Sequence, residues 1–179
     1  MVDTSSQHIP ARIASIIDGG GFVTVRFAFS ESLYCVYTVG LAWHYRQSEL
    51  LVFGPQPEVY DRIMLGMADA YGNGLQFGDG AVLRGMHERR LVARDIGGDV
   101  ARAFAPEAFR YLDARDRPCT FQQLAHADAK GRMPGAPGFT PTHDEPHLWR
   151  GFVAPQAGLA LDADPAVMPL WPKSLTVSA

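Results

Sequence analysis

Two short stretches of the chain carry side chains that could move a proton. His44 and Glu49 lie in a polar connector between two apolar runs. His126 and Asp128 come at the end of a third apolar run. An imidazole and a carboxylate that meet around one reactant can act as general base and general acid. We take these four residues as the catalytic candidates, on the hypothesis that strand pairing gathers them into one cleft. That cleft requires His44 and His126 to lie within about a dozen ångströms of Glu49.

The same cleft contains groups that bind a ligand without reacting. Tyr37 and Thr38 supply hydroxyls and Trp43 supplies an aromatic wall, so these three are the predicted ligand-binding residues. In the alternative interpretation, His44 and Glu49 are solvated residues of an ordinary loop.

The segment His143-Asp144-Glu145-Pro146-His147 holds four potential metal ligands in five residues. The spacing of its two histidines matches helical zinc motifs. Pro146, however, disfavours a helix through Glu145. We therefore predict no metal and no cofactor, and keep His143 and His147 as weak metal-ligand candidates.

The chain has two cysteines, Cys35 and Cys119, both in apolar strand-like surroundings. Such thiols are typical of small buried hydrophobic residues in a reducing compartment, although a disulfide between them stays open. Neither cysteine has an obvious base nearby in the sequence, so a thiol nucleophile is not predicted.

Two strands are predicted on either side of the connector. Tyr34–Val39 is rich in β-branched and aromatic residues, and Leu50–Phe53 is a second apolar run that stops at Gly54-Pro55. We expect residues 34–54 to cross the middle of a sheet twice, with a polar rim where the chain reverses.

The remaining periodicity predicts one α+β domain. The sheet is antiparallel or mixed, with five to six strands, and two helices beginning at Pro10 and Pro57 cover one face. The stretch from Phe22 to Phe29 alternates and forms a hairpin with the central strand. Cys119–Ala127 is the last long strand.

Residues 1–134 are assigned to this domain and residues 135–179 to a Pro/Gly-rich C-terminal extension. Its large apolar side chains would be exposed unless they packed on the domain or on a partner subunit. A homodimer formed through the extension is therefore one alternative. The expected anchors are Leu148, Trp149, Phe152, Leu170 and Trp171.

Composition narrows the class of partner. The 179 residues carry a net charge of −3 and no basic patch, which argues against nucleic acid. No run approaches the roughly 20 apolar residues that span a bilayer, and the polar start lacks the apolar core of a signal peptide. We expect a cytoplasmic protein without a membrane partner.

Two patterns in the chain resemble the bacterial domain of unknown function 4262 family. Tyr37–Leu41 matches a Tyr-Thr-x-Gly-Leu strand, and Glu49–Gly54 matches the Glu-Leu and apolar strand that follow, with Gln47-Ser48 in place of the usual His-Pro. The second pattern, Asp-x-x-Gly-x-x-Pro, is met at Asp128 and the residues after it. The resemblance runs from about residue 13 to residue 134, and the family brings no established activity.

Two classes of function stay open. The first is a binding or protein-interaction module, whose ligand could be a small molecule. The second is a small-molecule enzyme with hydrolase-like acid–base chemistry in a His/Glu/Asp cleft beside the central strands. The first is favoured because no spacing of acid, base or nucleophile specifies a reaction.

Overall fold

The structure, a computed structural model, describes residues 11–150. A six-stranded mixed sheet has the order β1-β2-β3-β6-β5-β4. The strands are β1 (Val23–Ser30), β2 (Leu33–Val39), β3 (Glu49–Gly54), β4 (Val82–Leu83), β5 (Leu91–Ile96) and β6 (Phe121–His126). The helices are α1 (Ala11–Asp18), α2 (Leu41–Tyr45), α3 (Pro57–Gly72), α4 (Gly98–Phe104) and α5 (Pro106–Asp113), and Leu148–Arg150 forms a 3-10 turn.

The central segment crosses the interior of the sheet twice, which confirms that prediction. β2 pairs antiparallel with both β1 and β3, so neither β2 nor β3 is an edge strand. The connector differs from the expected loop, because it contains the short helix α2 and because Glu49 is already the first residue of β3.

Helices lie on both faces of the sheet, so the prediction that the Pro10 and Pro57 helices share one face was wrong. Cys35 and Tyr37 of β2 pack in a core with α1, α4 and α5. Val36, between them, packs in a second core with α3. Successive strand residues point to opposite faces, and β2 is apolar on both. A strand of this kind requires cover on both sides.

α1 ends at a turn of glycine residues. The amides of Gly20 and Gly21 donate to the carbonyls of Ile17 and Ile16, and Gly20 has a φ of 95°. This is the Schellman arrangement that ends a helix, in which the left-handed residue is glycine.

Residues 135–150, the described part of the extension, pack on the domain. The Gln123 side chain donates to the Pro146 carbonyl and accepts from the Leu148 amide, at 2.7 and 2.9 Å. Leu148 is buried in the core that contains α1. The other predicted anchors beyond residue 150, and with them the homodimer, lie outside the described residues. Among the helices of residues 11–150, none has the length and apolar character needed to cross a membrane.

Candidate functional site

Glu49 lies at the N-terminal end of β3 and is completely buried. Its carboxylate accepts the Thr38 hydroxyl at 2.6 Å and the Gly40 and Ala42 amides at 2.8 and 3.0 Å. Burial raises the pKa of Glu49, and the hydrogen bonds oppose that rise. The carboxylate therefore holds the start of α2 against β3.

The other predicted residues of the connector are also engaged within the fold. His44 donates from Nε2 to the Gly21 carbonyl at 2.8 Å, which ties α2 to the turn after α1. The buried Tyr37 hydroxyl donates to Glu107 of α5. The Trp43 ring meets Tyr111 edge-on, with 6.1 Å between ring centroids.

The four catalytic candidates do not converge, and the predicted single cleft is not found. β3 and β6 run parallel, with Glu49 opposite Phe121. His126 lies five residues further along β6 than Phe121. At a rise of about 3.3 Å per residue, it is about 16 Å along the sheet from the level of Glu49. His44 lies on α2 at the Glu49 end, and Asp128 lies beyond His126 at the other end.

Asp128 builds a turn at the Asp-x-x-Gly-x-x-Pro pattern. Its carboxylate accepts the amides of Lys130, Arg132 and Thr140 and the Arg132 guanidinium. Burial opposes ionisation of this group, but the hydrogen bonds outweigh burial and lower its pKa to about 2. Gly131 has a φ of 75°, as the turn requires.

His126, at the C-terminal end of β6, is the centre of a second group of polar side chains. Glu145 accepts from the His126 backbone amide at 3.1 Å and from ring Nδ1 at 3.0 Å. The Tyr60 hydroxyl of α3 lies 3.2 Å from Nε2. Because a carboxylate only accepts, Nδ1 carries the hydrogen, and in the neutral ring Nε2 accepts from Tyr60. Burial raises the pKa of Tyr60, which keeps its proton for this bond.

Gly54 makes room for the Tyr60 side chain. A Cβ atom at Gly54 would lie 1.8 Å from the Tyr60 hydroxyl oxygen. No side chain fits at that distance, so the last residue of β3 has to be glycine for Tyr60 to reach His126.

Two more imidazoles contact His126. The ring centroids of His87 and His143 lie 5.3 and 5.8 Å from that of His126. Burial lowers the pKa of both rings from the ordinary value of 6.5, and electrostatic repulsion from a protonated His126 lowers it further. They are therefore neutral at pH 7, and His87 keeps its hydrogen on Nε2 because Nδ1 accepts the Arg89 amide. We call Tyr60, His87, His126, His143 and Glu145 the histidine cluster.

A cavity of about 430 Å³ adjoins this cluster at His143. The antiparallel partners explain its position, since the hairpin between β1 and β2 and the loop before β5 both reach the C-terminal end of β3 and β6. We call it the hairpin cavity. Its lining residues are Phe29, Ser30, Ser32, Leu33, Pro55, Thr142, His143 and Asp144.

The two weak metal-ligand candidates, His143 and His147, pack against different aromatic rings. His143 stacks edge-on against His126, whereas the His147 ring stacks on Trp149 at 4.6 Å. Within residues 11–150, no group of three or more His, Cys, Asp or Glu is arranged to hold a metal ion. Cys35 and Cys119 are both free thiols, and burial raises the pKa of each.

Sequence reasoning missed three members of the cluster. Tyr60 was covered only by the prediction of a helix beginning at Pro57, and Glu145 was considered only as a potential metal ligand. His87 had no local signal, since it reaches the cluster through the pairing of β5 with β6. The dense His143–His147 segment, together with His126 and Asp128, was the signal in the sequence for this end of the sheet.

Comparison with known proteins adds a family to this geometry. A family model described as a domain of unknown function, DUF4262, matches residues 18–140. No curated protein and no solved structure matches the sequence of the chain. The matched span covers β1 through β6, together with the turn built by Asp128. The chain therefore belongs to the DUF4262 family.

Proposed function

We propose that this domain is a binding module whose ligand is a small, uncharged, hydroxylated molecule held in the hairpin cavity. The single observation that supports the proposal is the position of His143. Its neutral ring lines the cavity on one side and contacts His126 on the other.

The lining favours that class of ligand. Phe29, Leu33 and Pro55 form an apolar wall, and the hydroxyls of Ser30 and Ser32 supply donors and acceptors. The Thr142 hydroxyl oxygen accepts from the Arg89 guanidinium and keeps its hydrogen for a ligand. Pockets of this size and mixture are typical of small-molecule sites. Asp144 also lines the cavity, and its carboxylate disfavours anionic ligands.

The histidine cluster supports the pocket through His143, the member of the cluster that lines it. Glu145 holds the His126 ring through Nδ1, and Tyr60 occupies Nε2, so both ring nitrogens are committed within the protein. His126 is thus a positioning residue for His143 in this proposal. The C-terminal end of a parallel strand pair is also where many α/β proteins bind their ligands.

Saturation-transfer NMR with a panel of small polyols, primary amines and monocarboxylates tests the proposal. We expect transfer to the polyols and loss of that transfer in Ser32→Trp, which fills the cavity. Ala114→Trp adds the same indole at an exposed position after α5 and should leave the transfer unchanged. Polyol signals that are absent, or that survive Ser32→Trp, would contradict the proposal.

The alternative is a small-molecule enzyme with acid–base chemistry, and the hydrogen-bonded chain Glu145–His126–Tyr60 favours it. A carboxylate on Nδ1 is the arrangement that orients a catalytic imidazole. In this alternative His126, held by that chain, positions His143 through their ring contact, and the neutral His143 removes a proton from a water molecule that attacks the carbonyl carbon of an ester in the cavity. The bond between the acyl carbon and the ester oxygen then breaks, and the protonated His143 returns the proton to the leaving oxygen. The assay is hydrolysis of p-nitrophenyl acetate. Hydrolysis above background that is lost in His143→Gln and kept in His44→Gln would favour the enzyme. Binding of polyols without hydrolysis would favour the binding module.

A further inference from the structure

A second cavity, of about 260 Å³, lies at the opposite end of β3 and β6 from the histidine cluster. The segment that joins α2 to β3 forms one side, and the segment leading into β6 forms the other. We call it the arginine cavity. Its lining residues are Ala42, Trp43, Arg46, Gln47, Arg117, Pro118 and Thr120.

Two guanidinium groups in this lining have no carboxylate partner among the described residues. Within residues 11–150, neither Arg46 nor Arg117 takes part in an ion pair, and no acidic residue lines the cavity. The neighbouring Arg115 differs, because it binds both carboxylate oxygens of Asp18 at 3.0 Å. The cavity is therefore a local concentration of positive charge on a protein whose net charge is −3.

An aromatic platform lies beside these charges. The Arg117 guanidinium lies over the Trp43 ring, 5.5 Å from its centre, and the Arg115 guanidinium lies over the same ring at 5.8 Å. Tyr111, which is buried, meets the same ring edge-on and fixes its orientation. A planar ligand can stack on an indole held in this way, and a guanidinium next to it can bind an acidic group on the ligand.

The polar groups around the platform are held on ordered backbone. Ser48 and Thr120 are joined through their hydroxyls at 3.0 Å, and the Glu49 amide donates to the Thr120 carbonyl at 2.9 Å. Arg46 ends α2 with a φ of 56°, a left-handed conformation that is unusual for a residue other than glycine. The cavity thus lies across a hydrogen-bonded junction of two strands.

We propose that the arginine cavity binds a small planar organic anion, with its ring on Trp43 and its carboxylate or phosphate on Arg46 and Arg117. The volume is below that of pockets for drug-sized ligands, which indicates a single-ring compound. This site is independent of the hairpin cavity and of the function proposed above.

The test uses phenyl phosphate as the probe and the full chain as the protein. In NMR titrations the indole N–H signal of Trp43, assigned from Trp43→Phe, should shift and saturate. Arg46→Gln and Arg117→Gln should each weaken binding by about tenfold, which is the loss expected for one charge-assisted hydrogen bond. Arg62→Gln, an exposed arginine on α3, is the matched control and should leave affinity unchanged.

Two further probes separate ring from charge. Benzamide has the ring without the charge and should bind far more weakly, and inorganic phosphate has the charge without the ring and should do the same. Equal binding of benzamide and phenyl phosphate would overturn the proposal. A saturable shift that is unchanged in the Arg46→Gln, Arg117→Gln double variant would also overturn it, as would the absence of any saturable shift.

Discussion

At the residue scale, Glu49 is a buried carboxylate that stabilises the fold. Its three hydrogen bonds join β2, α2 and β3, and its side chain is sealed from solvent. Two effects oppose each other at such a carboxylate, because hydrogen bonds favour the charged form and lower the pKa, while burial disfavours the charged form and raises the pKa. Burial prevails here and raises the pKa.

The raised pKa predicts a pH dependence of stability. The contribution of Glu49 to the free energy of unfolding is fully present below pH 4.5, the ordinary pKa of the group. That contribution is lost as pH rises through the higher pKa of the folded state. The glutamine of Glu49→Gln cannot ionise, so the unfolding free energy of this variant should lack this decline. The difference between the variant and the unsubstituted protein should therefore shift in favour of the variant as pH rises. Urea denaturation from about pH 4 to about pH 8 measures the difference.

Glu31→Gln is the control for that series, since Glu31 is an exposed residue between β1 and β2. Its curve should run parallel to that of the unsubstituted protein. A parallel curve for Glu49→Gln as well would show that Glu49 does not carry the dependence.

At the scale of elements, the approach of α3 to the end of β3 depends on one missing side chain. Tyr60 lies over Gly54, and through that contact its hydroxyl reaches His126. The helix and the strand therefore come together at the position that completes the histidine cluster.

Replacing Gly54 by alanine should displace Tyr60 and destabilise the protein by about 1–3 kcal/mol, the usual cost of overpacking. Gly66→Ala lies in the middle of α3, where no atom of the described residues is within 4 Å of the new Cβ, and should stabilise the protein by about 0.5–1 kcal/mol. Urea denaturation of the two variants compares the same chemical change with opposite expected signs. Similar effects of the two substitutions would contradict the contact between Gly54 and Tyr60.

On the scale of the whole molecule, the first part of the C-terminal extension belongs to the folded unit. Glu145 holds His126, and Leu148 fills a place in the core beside α1. The division at residue 134 therefore passes through a set of contacts that stabilise β6.

A chain that ends at Pro134 should lose about 3 kcal/mol or more, because Leu148 is removed from the core and the Gln123 side chain loses both partners. A chain that ends at Arg150 keeps all of these contacts and should unfold close to the temperature of the full chain. Thermal denaturation of the three proteins checks this order, and equal loss in both truncated chains would contradict it.

The same proteins test the homodimer hypothesis. If residues beyond Arg150 join two subunits, size-exclusion chromatography with light scattering gives twice the chain mass for the full protein and a single mass for the chain ending at Arg150. Equal oligomeric states for the two would remove that role.

Local patterns were sufficient for most of the elements. The alternation from Phe22 to Phe29 and the apolar runs Tyr34–Val39 and Leu50–Phe53 each act over a few residues, where side-chain period and type decide the conformation. The family resemblance rested on the same kind of short pattern, at Tyr37–Leu41 and Glu49–Gly54. These features were predicted correctly because neighbours in the chain determine them.

The site depended on contacts that no short window contains. The parallel pairing of β3 with β6 separates Glu49 from His126, although both belong to apolar runs that look alike in the sequence. The antiparallel pairing of β5 with β6 brings His87 to His126, and the chain beyond residue 140 returns to place Glu145 there. Strand order and direction arise from the packing of two cores on one sheet, and so only the tertiary structure could decide which ionisable side chains meet.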